Sequence, residues 1–168
     1  MSLNVQALYG GHFTIELING SGSYVDASTI REVPDNQEVF VGKNDDTSIL
    51  IDLLERVPEN DLIKAMEYHL EDILYDLNKS AIKPTDKAIH NDVIKDGVVY
   101  HRLTIVNETE RRDMFFALIR LEEFETDIII TYNTPSTHKL DIAEHDNHME
   151  TFVTMVKTFT LKYKSIFV

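Results

Sequence analysis

Two carboxylates three residues apart, Asp52 and Glu55, stand in the stretch ILIDLLE, whose other five side chains are all apolar. A carboxylate is costly to bury unless it is paired, so Asp52 needs either a buried cationic partner or contact with solvent. A carboxylic acid and a carboxylate can together hydrolyse a bond by general acid and base chemistry. Carboxylates fixed on a rigid strand end can instead bind Lys or Arg side chains of another macromolecule. These residues alone leave both chemistries open.

A second group of side chains with possible chemistry lies near the C-terminus. His145 and His148 are three residues apart, close enough to share one helix face, and His138, Asp141 and Asp146 are nearby. Neutral imidazoles and a carboxylate could hold a metal ion. The spacing is not that of a recognised ligand motif, and exposed histidines are ordinary at a polar helix entry. We therefore predict no metal site.

Other kinds of site lack the residues that they need. The chain contains no cysteine, which excludes a disulfide framework and a thiolate nucleophile. Gly10-Gly11 and Gly20-x-Gly22 do not have the form of a phosphate-binding loop, and no Gly-Lys-Ser/Thr sequence follows them. We predict no catalytic residue and no cofactor, and we interpret the chain as a protein that is not an enzyme.

The charge of the chain is unevenly distributed. The net charge of the 168 residues is −13, and residues 32–76 hold 13 acidic against 3 basic side chains, a local charge of −10. Such a field repels nucleic acid and anionic membranes and attracts a basic protein, although acidic residues also simply keep a domain soluble. The N-terminus lacks the pattern of a secretory signal, and no apolar run has the length of a membrane span. We expect a cytosolic or nuclear protein with no nucleic-acid or membrane partner.

The elements that must position these residues follow from hydrophobic periodicity and turn residues. The stretches 47–55, 114–121 and 127–132 are apolar on both faces, so a sheet built from them needs cover on both sides. Short turns between successive strands predict antiparallel neighbours. The pattern predicts a short helix at 26–33, long helices at 58–77 and 148–163, and further strands at 12–17, 37–42, 88–94 and 98–108. The sequence therefore predicts one α+β domain, an α/β/α sandwich whose central, mostly antiparallel sheet of about six strands carries a long helix on each face.

Six blocks of the sequence resemble, in the same order, the Mog-type nuclear import proteins, also called Ran guanine-nucleotide release factors. The blocks are ALYGG, DASTIREVPDNQEVFV, SILIDLLE, AMEYHLEDI, ALIRL and TDIIITYNTP, and they extend from about residue 8 to residue 135. The pair REVPDNQEVF and IDLLE is the most specific part of the resemblance.

The resemblance implies a function as well as an α/β/α sandwich. It implies a single Mog-type Ran-binding domain over residues 1–168 that binds the small GTPase Ran and promotes release of its guanine nucleotide. Such a protein supports nuclear protein import in the nucleus and cytoplasm, and it regulates a GTPase without being an enzyme. We expect a monomer on its own. The alternative is a scaffold or trafficking adaptor that uses the same acidic face for another basic protein.

By motif match, the Ran-contacting acidic positions of the family fall on Asp52 and Glu55. The resemblance places the surrounding surface on one segment, namely Arg31, Glu32, Pro34, Asp35, Asn36, Gln37 and Glu38. Asp35 and Asn36 could equally serve the turn itself, because their side chains readily bond to nearby backbone. Glu38 alternates with Val39 and could equally point to solvent.

Overall fold

In the part of the chain that the computed structural model describes, strand pairing builds two antiparallel sheets. The structure describes residues 5–78, 86–91, 97–106, 110–135, 137–138 and 145–167. The small sheet has three strands in the order β1-β2-β11. Its strands are β1 (Val5–Leu8), β2 (Phe13–Glu16) and β11 (Thr160–Leu161). Both termini of the described chain therefore meet in one sheet.

The large sheet has eight strands in the described part of the chain. Their order is β3-β4-β5-β9-β8-β7-β6, and β10 pairs with the first two residues of β8. The strands are β3 (Tyr24–Asp26), β4 (Gln37–Gly42), β5 (Ser48–Glu55), β6 (Asp86–Asn91), β7 (Val98–Val106), β8 (Glu110–Leu121), β9 (Thr126–Asn133) and β10 (Thr137–His138). Strand β5, which carries Asp52 and Glu55, lies between β4 and β9.

Helix α1 (Leu62–Asn78) covers one face of the large sheet. Asp61 caps its first turn, since one carboxylate oxygen accepts from the backbone N–H groups of Ile63 at 2.9 Å and Lys64 at 3.1 Å. Side chains from the helix and from alternate sheet positions then form one core, which contains Val57, Ala65, Met66, Leu70, Val99, Leu103, Phe116, Leu118 and Ile129. We call this side of the large sheet the α1 face.

Helix α2 (His145–Lys157) and the small sheet together cover the opposite face. Phe152 of α2 is fully buried and stacks on Phe115 at 5.7 Å and on Tyr132 at 6.3 Å between ring centroids. Phe13 and Ile15 of β2 are also fully buried in this core. No helix in the described part of the chain is long and apolar enough to cross a membrane.

The predicted α/β/α sandwich, with one sheet of about six strands and a long helix on each face, is wrong. The N-terminal strands form a sheet of their own, and α2 has only 13 residues and shares its face with that sheet. The helix predicted at 148–163 ends early because the Thr158 hydroxyl bonds to the carbonyl of Met155 at 2.6 Å and accepts from the N–H of Glu16 at 2.8 Å. The chain then continues as β11, beside β2.

Candidate functional site

Asp52 lies on the α1 face, where it is half-buried beside β4. Gln37 is its cross-strand partner, and the Gln37 Nε2 donates to Asp52 Oδ1 at 2.8 Å. Burial raises the pKa of the Asp52 carboxyl above its ordinary value, against the lowering effects of the Gln37 hydrogen bond and of His69. No ion pair reaches Asp52 within the described ranges. The site therefore holds a carboxylate whose charge the protein compensates only in part.

The buried arginine that Asp52 could have used is bound to another aspartate. Arg120 donates to both carboxylate oxygens of Asp127, at 2.7 Å and 3.0 Å, and both side chains are almost inaccessible to solvent. His69 of α1 lies 2.8 Å from the same carboxylate. The internal ion pair predicted as one explanation of Asp52 thus forms on the neighbouring strand, and Asp52 has no share in it.

Glu55 is the last residue of β5 and its side chain is exposed. Because side chains alternate along a strand, Glu55 leaves the sheet on the face opposite to Asp52. The adjacent cation does not neutralise it, since Arg56 binds Glu122 at 3.0 Å and Asn60 at 2.8 Å. An open groove of about 790 Å³ borders Glu55, between the ends of β5 and β9 and the C-terminal turn.

The geometry of these two carboxylates bears on the hydrolase interpretation. A general acid and a general base must face the same bond. The side chains of Asp52 and Glu55 point to opposite faces of one strand. What they have in common is their position toward the same end of the sheet. This arrangement suits two contacts with a large partner that docks across that end.

The segment before β4 contributes exposed side chains beside the same strand end. Arg31, Glu32, Pro34 and Asp35 are exposed, and the N–H of Gln37 closes the turn by donating to the Pro34 carbonyl at 3.0 Å. Asn36 is exposed as well. The side chains of Arg31, Glu32, Pro34 and Asp35 are available to a partner.

Asn36 and Glu38 are held by internal bonds. The Asn36 carbonyl accepts from the N–H of Leu53 at 2.8 Å, and its side-chain amide donates to the Leu53 carbonyl at 3.2 Å. Glu38 lies on the face opposite to Asp52, where its carboxylate accepts from the N–H of Tyr9 at 2.8 Å. Burial raises the pKa of Glu38 above its ordinary value. Asn36 therefore fixes the turn, which is one of the two roles that its residue type suggests, and Glu38 is held by the small-sheet side of the molecule.

The histidines and aspartates that were considered as possible metal ligands fall largely outside the described part of the chain. Asp141 lies outside the described residues, and so do the side chains of His138, His145 and Asp146. His148 is described, and its ring meets the ring of Tyr132 edge-on at 6.5 Å. Among the described side chains, no three His, Asp or Glu groups are close enough to hold a metal ion. The absence of a metal site stays a prediction.

A comparison with protein-family models matches residues 6–135 of this chain to the Ran-interacting Mog1 protein family. The chain belongs to this family. It is 36% identical to the nuclear import protein MOG1 of Saccharomyces cerevisiae over 77% of its length, and the match spans 65% of the yeast protein. It is 30% identical to the Ran guanine nucleotide release factor of Homo sapiens, over 76% of this chain and 74% of the human protein.

Solved structures agree with the family assignment. The crystal structure of the Saccharomyces cerevisiae Ran-binding protein Mog1p matches 99% of this chain and 100% of its own, with 31% identity and a TM-score of 0.76. A glutamate-to-alanine mutant of protein Mog1 matches with 30% identity and the same TM-score, over 100% of both chains.

Two residues that act on this site in the Mog1-family chain carry little or no signal in the sequence. His69 of α1 lowers the pKa of Asp52 through its charge. Tyr9, between β1 and β2, bonds to the 36–38 segment. The only sequence signal for Tyr9 is its place in ALYGG, before two glycines that both adopt positive φ. His69 carries no local signal, because only the packing of α1 on the sheet brings it to the site.

Proposed function

We propose that this chain binds the small GTPase Ran, promotes release of its guanine nucleotide and so supports nuclear protein import. The observation that carries the proposal is the family match over residues 6–135. Relatives named nuclear import protein and Ran guanine nucleotide release factor support it. In this proposal the chain is one Ran-binding domain over residues 1–168, acts in the nucleus and cytoplasm as a monomer, and regulates the GTPase without catalysing covalent chemistry.

The proposed Ran-binding surface is the end of the large sheet around Asp52 and Glu55, with Arg31, Glu32, Pro34 and Asp35 on its border. Three features support this choice. Glu55 is exposed and no described cation pairs with it, and the charge on Asp52 is only partly compensated. Residues 32–76 also carry a local charge of −10. A basic face of Ran would supply the missing positive charge and would be steered to this end of the molecule.

Asn36, Gln37 and Glu38 have a different role in the proposal. Gln37 orients Asp52 through its side-chain amide. Asn36 and Glu38 hold the adjacent backbone through the bonds described above. These three residues would shape the surface, and the bordering residues Arg31, Glu32, Pro34 and Asp35 would contact Ran together with Asp52 and Glu55.

Nucleotide release follows from linked equilibria. If this protein binds nucleotide-free Ran more tightly than nucleotide-bound Ran, then nucleotide must weaken the binding of this protein by the same factor. The protein needs no catalytic group for this effect. It needs only a surface that prefers one state of Ran, and rigid carboxylates at a strand end are suited to such discrimination.

The test is a titration of Ran loaded with a fluorescent guanine nucleotide. Wild-type protein is expected to accelerate release, and Asp52→Ala/Glu55→Ala is expected to require a much higher concentration for the same effect. Truncating one carboxylate of a desolvated charge pair costs about 2–5 kcal/mol, so the half-maximal concentration should rise by roughly 30-fold or more.

The matched control is Glu71→Ala/Asp72→Ala. It removes the same two charges from the exposed side of α1, away from the sheet end. It should behave like wild type apart from a small loss of long-range attraction. Equal release by wild type and by Asp52→Ala/Glu55→Ala would remove these residues from the site. Failure of the wild-type protein to accelerate release would refute the proposed function itself.

A further inference from the structure

Tyr9 has a backbone conformation that is rare for a large side chain. It connects β1 to β2 with φ of 51°, in the left-handed region, and Gly10 and Gly11 follow with φ of 68° and 90°. A non-glycine residue in this region is uncommon, and a strained backbone persists only where the surroundings hold it in place. The contacts of Tyr9 show what holds it.

The hydroxyl and the backbone N–H of Tyr9 bond to β4, to β5 and to the residue that precedes β4. Its hydroxyl oxygen lies 2.6 Å from the Ile51 carbonyl oxygen and 3.0 Å from the Asn36 carbonyl oxygen. Its N–H donates to the Glu38 carboxylate at 2.8 Å, and its ring packs edge-on against Phe13 at 5.9 Å. A hydroxyl has one proton, so it bonds to one carbonyl at a time and fits Ile51 best by distance.

The two carbonyl groups belong to the residues that precede Gln37 and Asp52. Gln37 and Asp52 face each other across β4 and β5, and their side chains are hydrogen-bonded on the α1 face. Tyr9 approaches the same strand pair from the opposite face, where it packs against the core of the small sheet. From the opposite face, the Tyr9 hydroxyl therefore bonds to the peptide group that precedes Asp52 and lies within 3.0 Å of the carbonyl that precedes Gln37.

The electrostatics of Tyr9 agree with this placement. Burial raises the pKa of its hydroxyl, and the carboxylates of Asp52 and Glu38 raise it further. The hydroxyl therefore keeps its proton and stays a donor to the backbone at neutral pH.

We propose that Tyr9 is a positioning residue for the Ran-binding carboxylate of Asp52, acting through the backbone of residues 36–37 and 51–52. This inference rests on the proposed function of the Asp52 surface. Tyr9 itself makes no contact with Ran in this scheme. The small sheet thereby acquires a role in the binding site, because it fixes the tyrosine that aligns the Gln37–Asp52 pair.

The first test uses Tyr9→Phe, which removes only the hydroxyl and keeps the ring, and the nucleotide-release titration with Ran. Loss of one hydrogen bond that orders the site should raise the half-maximal concentration about 3- to 10-fold. The matched control is Tyr163→Phe, the same substitution at a tyrosine that is 64% exposed near the C-terminus. The control should behave like wild type.

A double-mutant cycle separates positioning from a general loss of stability. If Tyr9 acts through Asp52, the effect of Tyr9→Phe should disappear in an Asp52→Ala background, because residues that act as a unit are not additive. An equal fold-change in both backgrounds would overturn the inference. A thermal melt of each variant identifies a temperature at which every variant is folded, and the titrations are carried out at that temperature.

A spectroscopic measurement tests the geometry without Ran. In ¹H–¹⁵N NMR spectra, Tyr9→Phe should shift the side-chain amide resonances of Gln37, and Tyr163→Phe should leave them in place. Unchanged Gln37 resonances would overturn the inference, and so would a shift with no change in the release titration. If the wild-type protein does not accelerate nucleotide release from Ran, the proposed function fails. The NMR result still decides whether Tyr9 orders the Gln37–Asp52 pair.

Discussion

Replacing Asp127 by asparagine removes one charge from a fully buried hydrogen-bond network. The Asp127 carboxylate receives hydrogen bonds from Arg120 at 2.7 Å and 3.0 Å, from His69 at 2.8 Å and from the N–H of Val57 at 3.2 Å. Burial alone would raise its pKa, but the bonds from His69, Arg120 and Val57 outweigh burial and hold the pKa below its usual range. An asparagine amide offers one acceptor oxygen and introduces an N–H₂ group that faces donors.

The expected loss of stability is large for a single substitution. Removing one partner of a buried ion pair costs about 3–5 kcal/mol, which corresponds to a fall of roughly 6–20 °C in Tm for a chain of this size. Glu122→Gln is the matched control, since it makes the same carboxylate-to-amide change. Glu122 pairs with Arg56 at 3.0 Å, but its side chain is 66% exposed, so the control should cost less than about 1 kcal/mol.

Urea denaturation at neutral pH, followed by circular dichroism, measures both variants against wild type. The pH dependence of the difference follows from the lowered pKa of Asp127. A carboxyl group with a depressed pKa stabilises the fold above its unfolded pKa of about 3.9, and this stabilisation is lost as the pH falls through the folded pKa. The difference in the free energy of unfolding between wild type and Asp127→Asn should therefore decrease as the pH falls below about 4. Stabilities that agree within about 1 kcal/mol at neutral pH, or a gap that widens in acid, would refute the reasoning.

Two further substitutions test the site and the core. Asp52→Asn keeps an acceptor for Gln37 and removes a carboxyl group whose pKa is raised by burial. At neutral pH the Tm of this variant should therefore equal or exceed that of wild type. Its ability to release fluorescent nucleotide from Ran should fall. Any gain in Tm should fade as the pH falls through the raised pKa of Asp52, and a clear loss of stability at neutral pH would contradict this account. Phe152→Ala should cost about 3–5 kcal/mol in urea denaturation, because this fully buried ring joins α2 to the large sheet. A cost below about 1 kcal/mol would show that α2 is not needed to cover that face.

Local signals were sufficient for several elements of the large sheet. Strand β4 runs from residue 37 to residue 42 as predicted, and β5 begins one residue later than predicted. In both strands the apolar pattern and the intervening KNDD loop determine the structure. Strand β11 has two residues and pairs with β2 from the other end of the chain, so no local pattern could reveal it. The third strand of the small sheet depends on that non-local pairing.

The candidate site was predictable in part for the same reason. A charge inside an otherwise apolar strand is a local feature, and it is enough to single out Asp52. The contact between Gln37 and Asp52 needs the register of the β4–β5 hairpin, and the contacts of Tyr9 need the position of the small sheet. Hydrophobic periodicity predicts neither the strand register nor the position of the small sheet. It also could not show that Arg120 binds Asp127 and that no described cation forms an ion pair with Asp52.

Asp52 and Asp127 lie on the same face of adjacent strands, but the surrounding residues shift their pKa values in opposite directions. Asp127 is opposite Leu54, two positions along the ladder from Asp52, and Arg120 of the next strand neutralises it. Asp52 receives an amide hydrogen bond and the weaker influence of His69. In the proposed function, stability and Ran binding thus depend on different carboxylates. Substitution of Asp127 should reduce the amount of folded protein, whereas substitution of Asp52 should reduce the activity of each folded molecule toward Ran.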